Sequence, residues 1–206
     1  MTNELEQKWQ RIQQAMQWQE ADGCLLSINM NLYYLSGQVF NGYFYLPAEG
    51  NPYWFVKRLT ICETGQVHVI RKPEQMPELF QKLGLPLPRK LLLEADELPY
   101  NEYVRLQKVF QPEQTGNASA LLRQIRMIKT PWEIEQMRIS ARQHEAVYRE
   151  IPSCYRPGMT DIEFQIEIER QMRLHGSLGY FRAFGVNMDI FMGSLLAGDN
   201  AAVPSP

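Results

Sequence analysis

Cysteine and histidine are scarce, three of each in 206 residues. Cys24, Cys62 and Cys154 are far apart and form no CxxC pair, so they read as free thiols in a reducing compartment, not as a disulfide framework. No two of His68, His144 and His175 share the spacing of a metal site. Charge of one sign is lacking as well. The 21 basic and 23 acidic side chains leave a net charge of −2, which gives no reason to expect a nucleic-acid or anionic-membrane partner. No apolar run approaches the roughly 18 residues of a membrane-spanning helix. The opening MTNELEQKWQ has no basic segment followed by an apolar one, so no signal peptide and a cytoplasmic location are expected. Gly-rich phosphate loops, nucleophile elbows, basic-aromatic stripes, repeats and low-complexity segments are missing too.

Alternating strand and helix patterns fill the first 120 residues. Leu5, Trp9, Ile12 and Met16 form one stripe of an amphipathic first helix, ended by Asp22-Gly23. Cys24–Ile28 suits a buried strand, and Asn29–Gly37 reads as a loop or a single helical turn. Tyr43–Leu46 and Tyr53–Val56 are aromatic-rich strands joined as a hairpin by a turn holding Pro47, Gly50 and Pro52. Strands are further expected at Val67–Arg71, Lys90–Glu94 and, at an edge, Glu113–Thr115. Helices are expected at Pro73–Leu83, Pro99–Phe110 and from Asn117 or Ser119 to Ile128. This alternation predicts an α/β domain with a mixed sheet.

A junction follows. Pro131 disfavours the α region for Thr130, so the helix ending near Ile128 cannot continue into Trp132. Pro131 fits the first turn of a new helix, with Thr130 as its cap and Glu133 completing a capping box. Thr160 and Glu163 repeat the device after the Pro157-Gly158 turn. The predicted helix Pro131–Ile151 carries Ile134, Met137, Ala141, Tyr148 and Ile151 on one stripe; Asp161–His175 carries Phe164, Ile168 and Met172. Each stripe needs a sheet to cover it, yet only one long strand-like stretch, Tyr180–Ala197, comes after. The last 80 or so residues are therefore expected to be part of a larger domain, in a parent protein roughly twice as long.

Leu121–Arg138 resembles the linker and first catalytic-domain helix of the pita-bread metallopeptidases, which include prolidase, aminopeptidase P and the related hydrolase creatinase. Arg156-Pro-Gly-Met-Thr160 resembles that family's turn before its second helix, and Asn31-Leu-Tyr-Tyr-Leu-Ser-Gly37 a loop of its N-terminal domain. Gly198-Asp-Asn-Ala-Ala-Val-Pro-Ser205 resembles the family's Gly-x-Asn-x-x-x-Pro-His segment, with Ser205 where the family has a substrate-binding His. The resemblance runs from about Lys8 to Pro206. It implies a creatinase-type, ribonuclease H-like α/β domain over residues 1–123 and the start of a pita-bread α+β catalytic domain over 124–206.

The resemblance also implies a function. The parent would be an Xaa-Pro dipeptidase- or aminopeptidase-like hydrolase, a homodimer acting on a peptide or other small-molecule substrate. Two divalent metal ions (Mn, Co or Zn) would generate the attacking hydroxide. The family's ligands (two Asp, one His, two Glu) would lie beyond Pro206, so this chain is expected to hold no metal and to be inactive alone, serving dimerisation and active-site capping. Ser205 favours an alternative: a non-peptidase member, either a creatinase-like hydrolase or a catalytically silent binding protein.

The candidate substrate-binding residues are Ser205, Phe40 and Tyr43. Phe40 and Tyr43 belong to a dense aromatic cluster whose strand members are expected to be core. The Gln38–Gly42 loop is freer to face a partner, and the resemblance implies a reach from this region toward the neighbouring subunit's active site. His144 is expected in the apolar stripe of its helix, His68 inside a strand and His175 at a helix C-terminus. Asp189 and Asp199 lack converging carboxylates and are read as structural. Asp161, Glu163, Glu167 and Glu169 are read as a solvated helix face.

Overall fold

The computed structural model describes residues 2–57, 66–182, 189–190 and 193–203. It divides into two compact units, residues 1–129 and 130–206.

Unit 1 is α/β. Its elements are α1 (Thr2–Trp18), β1 (Gly23–Leu26), α2 (Asn29–Ser36), β2 (Gly42–Pro47), β3 (Tyr53–Val56), β4 (Gln66–Val69), α3 (Met76–Lys82), β5 (Lys90–Leu93), α4 (Tyr100–Phe110), β6 (Gln114–Asn117) and α5 (Ala118–Met127). The six strands form one mixed sheet in the order β4-β3-β2-β1-β5-β6. β2 is antiparallel to both neighbours, and every other pair is parallel. β2 and β3 form the expected hairpin, and β6 is the expected edge strand.

Because side chains alternate along a strand, the sheet builds two cores. Cys24, Leu26, Phe44, Leu46, Trp54, Val56 and Leu92 meet the α1 stripe Leu5, Trp9, Ile12 and Met16 and the α5 residues Leu121 and Leu122. Leu25, Tyr43, Tyr45, Phe55, Leu91 and Leu93 meet Met76 and Phe80 of α3 and Leu106 and Phe110 of α4 on the other face. Edge-to-face packing of Trp9 and Phe44 against Trp54, with ring centroids 6.1 and 5.1 Å away, anchors the first core.

Several boundaries differ from the sequence expectation, each for a local reason. Asn29–Ser36 is a two-turn helix, not a loop or a single turn. Its own cap, Ile28, offers no side-chain acceptor, but Glu94 reaches across from the end of β5. Glu94 Oε2 accepts from Ser27 N at 2.8 Å and Ile28 N at 3.0 Å. Gly37, in the left-handed region at φ 73°, ends the helix and donates its N–H to Tyr33 O. The first strand stops at Leu26 and the fifth at Leu93, because the chain then turns to make this cap. A 3-10 turn over Pro73–Gln75 precedes α3.

Unit 2 holds α6 (Pro131–Cys154), α7 (Asp161–Leu174) and the two-residue antiparallel pair β7 (Phe181–Arg182) and β8 (Asp189–Ile190). Both capping boxes form: Thr130 Oγ1 accepts from Glu133 N at 3.2 Å, Thr160 Oγ1 from Glu163 N at 3.2 Å, and each glutamate accepts from its cap's N–H. α6 runs a turn past the expected Ile151 and contains Pro152. In a final turn, proline removes one helical hydrogen bond without stopping the chain. Of the expected single strand-like stretch Tyr180–Ala197, β7 and β8 pair antiparallel with each other rather than continuing as one strand, Gly193 at φ 85° is not extended, and residues 183–188 and 191–192 lie outside the described residues. The helix stripes stay open: Ile134, Met137 and Tyr148 are exposed, and α7 buries no residue.

Candidate functional site

Five strands of unit 1 end at one edge of the sheet, where the reversed strand β2 begins. Register sets Gly42 opposite Val56 and Phe44 opposite Leu26. A cleft of about 470 Å³ opens there. Ser27 and Asn29 line it from the chain leaving β1, Asn41 and Tyr43 from the start of β2, Lys57 from the end of β3 and Glu102 from α4. Gly42 is required at the base of the cleft, because a Cβ there would collide with the Phe55 carbonyl of the paired strand.

Tyr43 is the centre of the polar wall. Its ring is 2% exposed and packs in the second core, while its hydroxyl donates to Glu102 Oε1. Burial, then this hydrogen bond, holds the phenol above its ordinary range. Glu102 also lies 3.7 Å from Arg105 Nη1, and Arg105 in turn grips Glu74 with two hydrogen bonds of 2.7 and 2.9 Å. Lys57 Nζ stands 5.2 Å from the centroid of the Tyr43 ring.

Phe40 and Tyr43 thus line the same cleft, but neither side chain is free. Phe40 is 5% exposed and joins the first core, because the five residues from Gly37 to Asn41 fold back onto the sheet. Of the Gln38–Gly42 loop expected to be freer to face a partner, Phe40 turns into the core and Val39 is the exposed apolar residue. Ser205 lies outside the described residues.

A second polar cluster supports the cleft from behind. The Glu94 carboxylate is fully buried and also accepts from Asn31 Nδ2 at 2.7 Å; Asn31 Oδ1 accepts from Arg126 Nη1 at 3.2 Å. Burial raises the Glu94 pKa, against the opposing pull of its three donors. The buried Cys24 thiol is pushed up by desolvation and then by Glu94, which makes it a poor nucleophile.

The histidines remain apart. His144 is exposed, not part of a covered stripe, because the buried positions of α6 are Val147 and Cys154. His175 caps α7, with Nδ1 2.9 Å from Gln171 O. His68 sits in β4 between the Tyr53 and Phe55 rings, and desolvation lowers its pKa. Among the described residues, no three His, Cys, Asp or Glu side chains are grouped to hold a metal ion. The donor set of a two-metal centre is therefore not assembled by these residues. No helix among them is long and apolar enough to cross a membrane.

Lys57, Glu102 and Glu94 were missed by sequence reasoning. One signal was available: a charged residue directly ends each of the apolar runs YWFV and LLL, at Lys57 and Glu94.

Residues 8–128 match the creatinase/prolidase N-terminal domain. The chain belongs to that family. An uncharacterized peptidase of Staphylococcus aureus (strain USA300) is 25% identical over 198 residues, covering 90% of this chain and 52% of the relative. The chain spans about half the length of the curated relatives it matches. Among solved structures, an Xaa-Pro dipeptidase from Bacillus anthracis superposes with a TM-score of 0.70 at 22% identity, over 84% of this chain and 50% of that one. The dipeptidase PepE from Mycobacterium ulcerans gives 0.69 at 20% identity, over 88% and 52%. The prolidase from Pyrococcus horikoshii OT3 gives 0.64 at 21%, over 86% and 52%. These similarities establish the fold; the creatinase/prolidase N-terminal domain accounts for the mixed six-stranded sheet and its flanking helices.

Proposed function

We propose that this chain is the N-terminal part of a cytoplasmic Xaa-Pro dipeptidase- or aminopeptidase-like metallohydrolase. In this reading, unit 1 is the accessory domain that supports a homodimer and closes over a peptide-binding active site. Unit 2 begins the catalytic domain, and further protein covers the exposed faces of α6 and α7. The observation that carries the reading is the family match over residues 8–128, in a chain spanning about half of its relatives.

The described residues do not fit a divalent metal centre, so no hydrolytic step is assigned to this chain. Its contribution is positioning: Phe40 and Tyr43 form the rigid floor of the cleft, and Ser205 stands for a substrate contact. A specific departure favours a second reading. Serine at 205 supplies one short, uncharged donor where the family has a titratable imidazole, which suits a non-peptidase member or a binding protein.

Assay of the full parent protein with Mn or Co on an Xaa-Pro dipeptide separates the two. Turnover that strengthens on Ser205→His supports the peptidase reading, with the chain of 206 residues alone giving none. No turnover with either residue supports the second reading, and turnover by the chain alone overturns the assignment of catalysis elsewhere.

A further inference from the structure

We propose that Glu94, Asn31 and Arg126 form a proton-operated switch inside unit 1: when the Glu94 carboxylate takes up one proton, the Asn31 carboxamide turns over, Arg126 is released and the cap on α2 loosens. The switch is independent of what the parent protein hydrolyses or binds.

Donor and acceptor order is fixed from both ends of the cluster. Arg126 Nη1 can only donate, so the atom of Asn31 it meets at 3.2 Å is the acceptor Oδ1. Asn31 Nδ2 then faces Glu94 Oε1 at 2.7 Å, and an ionised carboxylate can only accept. Glu94 Oε2 takes Ser27 N at 2.8 Å and Ile28 N at 3.0 Å. This arrangement holds for the ionised carboxylate alone. A proton on Oε1 sets donor against donor at Asn31 Nδ2. A half turn of the carboxamide restores a bond, from the Glu94 O–H to Asn31 Oδ1, but it aims Nδ2 at the guanidinium. Arg126 then leaves Asn31 and retains the Tyr34 ring, whose centroid is 6.0 Å from its guanidinium carbon. Oε2 keeps its two backbone donors without its charge, and neutral hydrogen bonds are roughly half as strong as charge-assisted ones. Ser27 and Asn29, which line the cleft, lie on that weakened turn.

The surroundings favour the proton while the chain stays folded. Glu94 and Asn31 are at most 1% exposed, and the three partners of the carboxylate are neutral N–H groups. Around them, the buried Cys24 thiol of β1 is neutral and Glu97 of the following turn carries like charge. Arg126 of α5 acts through Asn31, and Lys8 of α1 stands over the Tyr34 ring at 4.3 Å. Desolvation is the largest influence and holds the Glu94 pKa above its ordinary 4.5. Between the ordinary and the raised value, the folded chain binds a proton that the unfolded chain has lost. From this group the fold therefore gains stability as pH falls through the raised value, so the switch turns within the folded protein and not through acid unfolding.

NMR of the 206-residue chain, titrated from about pH 8 to about pH 4, tests this. One transition is expected at the Glu94 carboxyl carbon with a midpoint above 4.5, and the Asn31 carboxamide and Arg126 guanidinium signals should follow the same midpoint. Amides of Ser27 and Ile28 should lose protection on the acid side. Glu94→Gln offers one oxygen acceptor and N–H donors in place of the protonated acid, so it should hold the Asn31 and Arg126 signals at their acid positions at every pH. If Glu94→Gln fails to fold by circular dichroism, Arg126→Leu replaces it: without the donor that orients Asn31, the Glu94 midpoint should rise. A Glu94 midpoint at or below 4.5, a Glu94 transition that leaves Asn31 and Arg126 unmoved, alkaline-side signals in folded Glu94→Gln, or an unchanged midpoint in Arg126→Leu each overturns the proposal.

Discussion

In unit 1, Trp54, Phe44, Phe55 and Phe80 are at most 1% exposed; in unit 2, Met137, Tyr148, Ile162 and Leu174 are more than half exposed. The contrast is not one of composition, because both segments carry large apolar residues at regular spacing. It arises from what each stripe can meet. The stripe of α1 finds a sheet face made of β1, β2 and β3, with α5 beside it. α6 and α7 lie against each other, with Tyr155 edge-to-face on Phe164 at 5.5 Å, yet this buries only Val147 and Cys154 of α6 and no residue of α7. Periodicity forms a helix in both units, but burial requires a partner surface, which among the described residues unit 1 supplies far more fully.

The comparison breaks most visibly if truncations in the two units cost the same. Trp54→Ala should destabilise unit 1 by about 3–5 kcal/mol through lost transfer energy and a cavity, whereas Met137→Ala should stay within about 0.5 kcal/mol. Urea midpoints read by tryptophan fluorescence and circular dichroism decide it. Next in size is Glu94→Ala. It strips acceptors from Ser27 N, Ile28 N and Asn31 Nδ2, at roughly 1–3 kcal/mol for each donor left buried and unsatisfied. Loss of α2 amide protection should accompany the fall in midpoint; an unchanged midpoint would show that α2 needs no cap from β5.

The caps sharpen the comparison in unit 2, where local interactions carry more of the helix. Thr130→Ala should cost about 1 kcal/mol of α6 stability. Pro131→Ala should cost less, because Thr130 still caps the helix and the main loss is preset φ. Helix content by circular dichroism ranks the two, and a larger loss at Pro131 would give that residue a tertiary role. The smallest expected effect is a pH dependence in unit 1. Desolvation holds the His68 pKa below its ordinary 6.5, so the fold favours the neutral ring. Its stabilising contribution is complete above pH 6.5 and is lost as pH falls through the lowered folded value. His68→Gln should abolish that part of the acid-side decline; parallel midpoint curves for the two proteins would contradict it.

What could be read in the sequence was whatever lay within one element or one turn. The α1 stripe, the β2–β3 hairpin and both T-x-x-E boxes are local patterns, and each forms as written. α2 was misread because its cap comes from Glu94, more than 60 residues away, and no local pattern records such a partner. The candidate site was legible only in part, for the same reason. Phe40 and Tyr43 stood out as aromatics, but the Tyr43–Glu102 bond spans 59 residues, and Lys57 reaches the cleft only through the register of β3 on β2. The loop at Gln38–Gly42 was read as freer to face a partner, but its Phe40 is buried, since a ring that size gains more against the sheet than in water.

Hydrogen exchange followed residue by residue on the intact chain tests the central claim, that unit 1 is a self-sufficient domain and unit 2 awaits a covering surface. Amides of β1, β2, β3 and β5 should exchange together and slowest, at the free energy of global unfolding of unit 1, while those of α6 and α7 exchange far faster through local opening. Protection in α6 and α7 equal to that of the central strands would contradict the account.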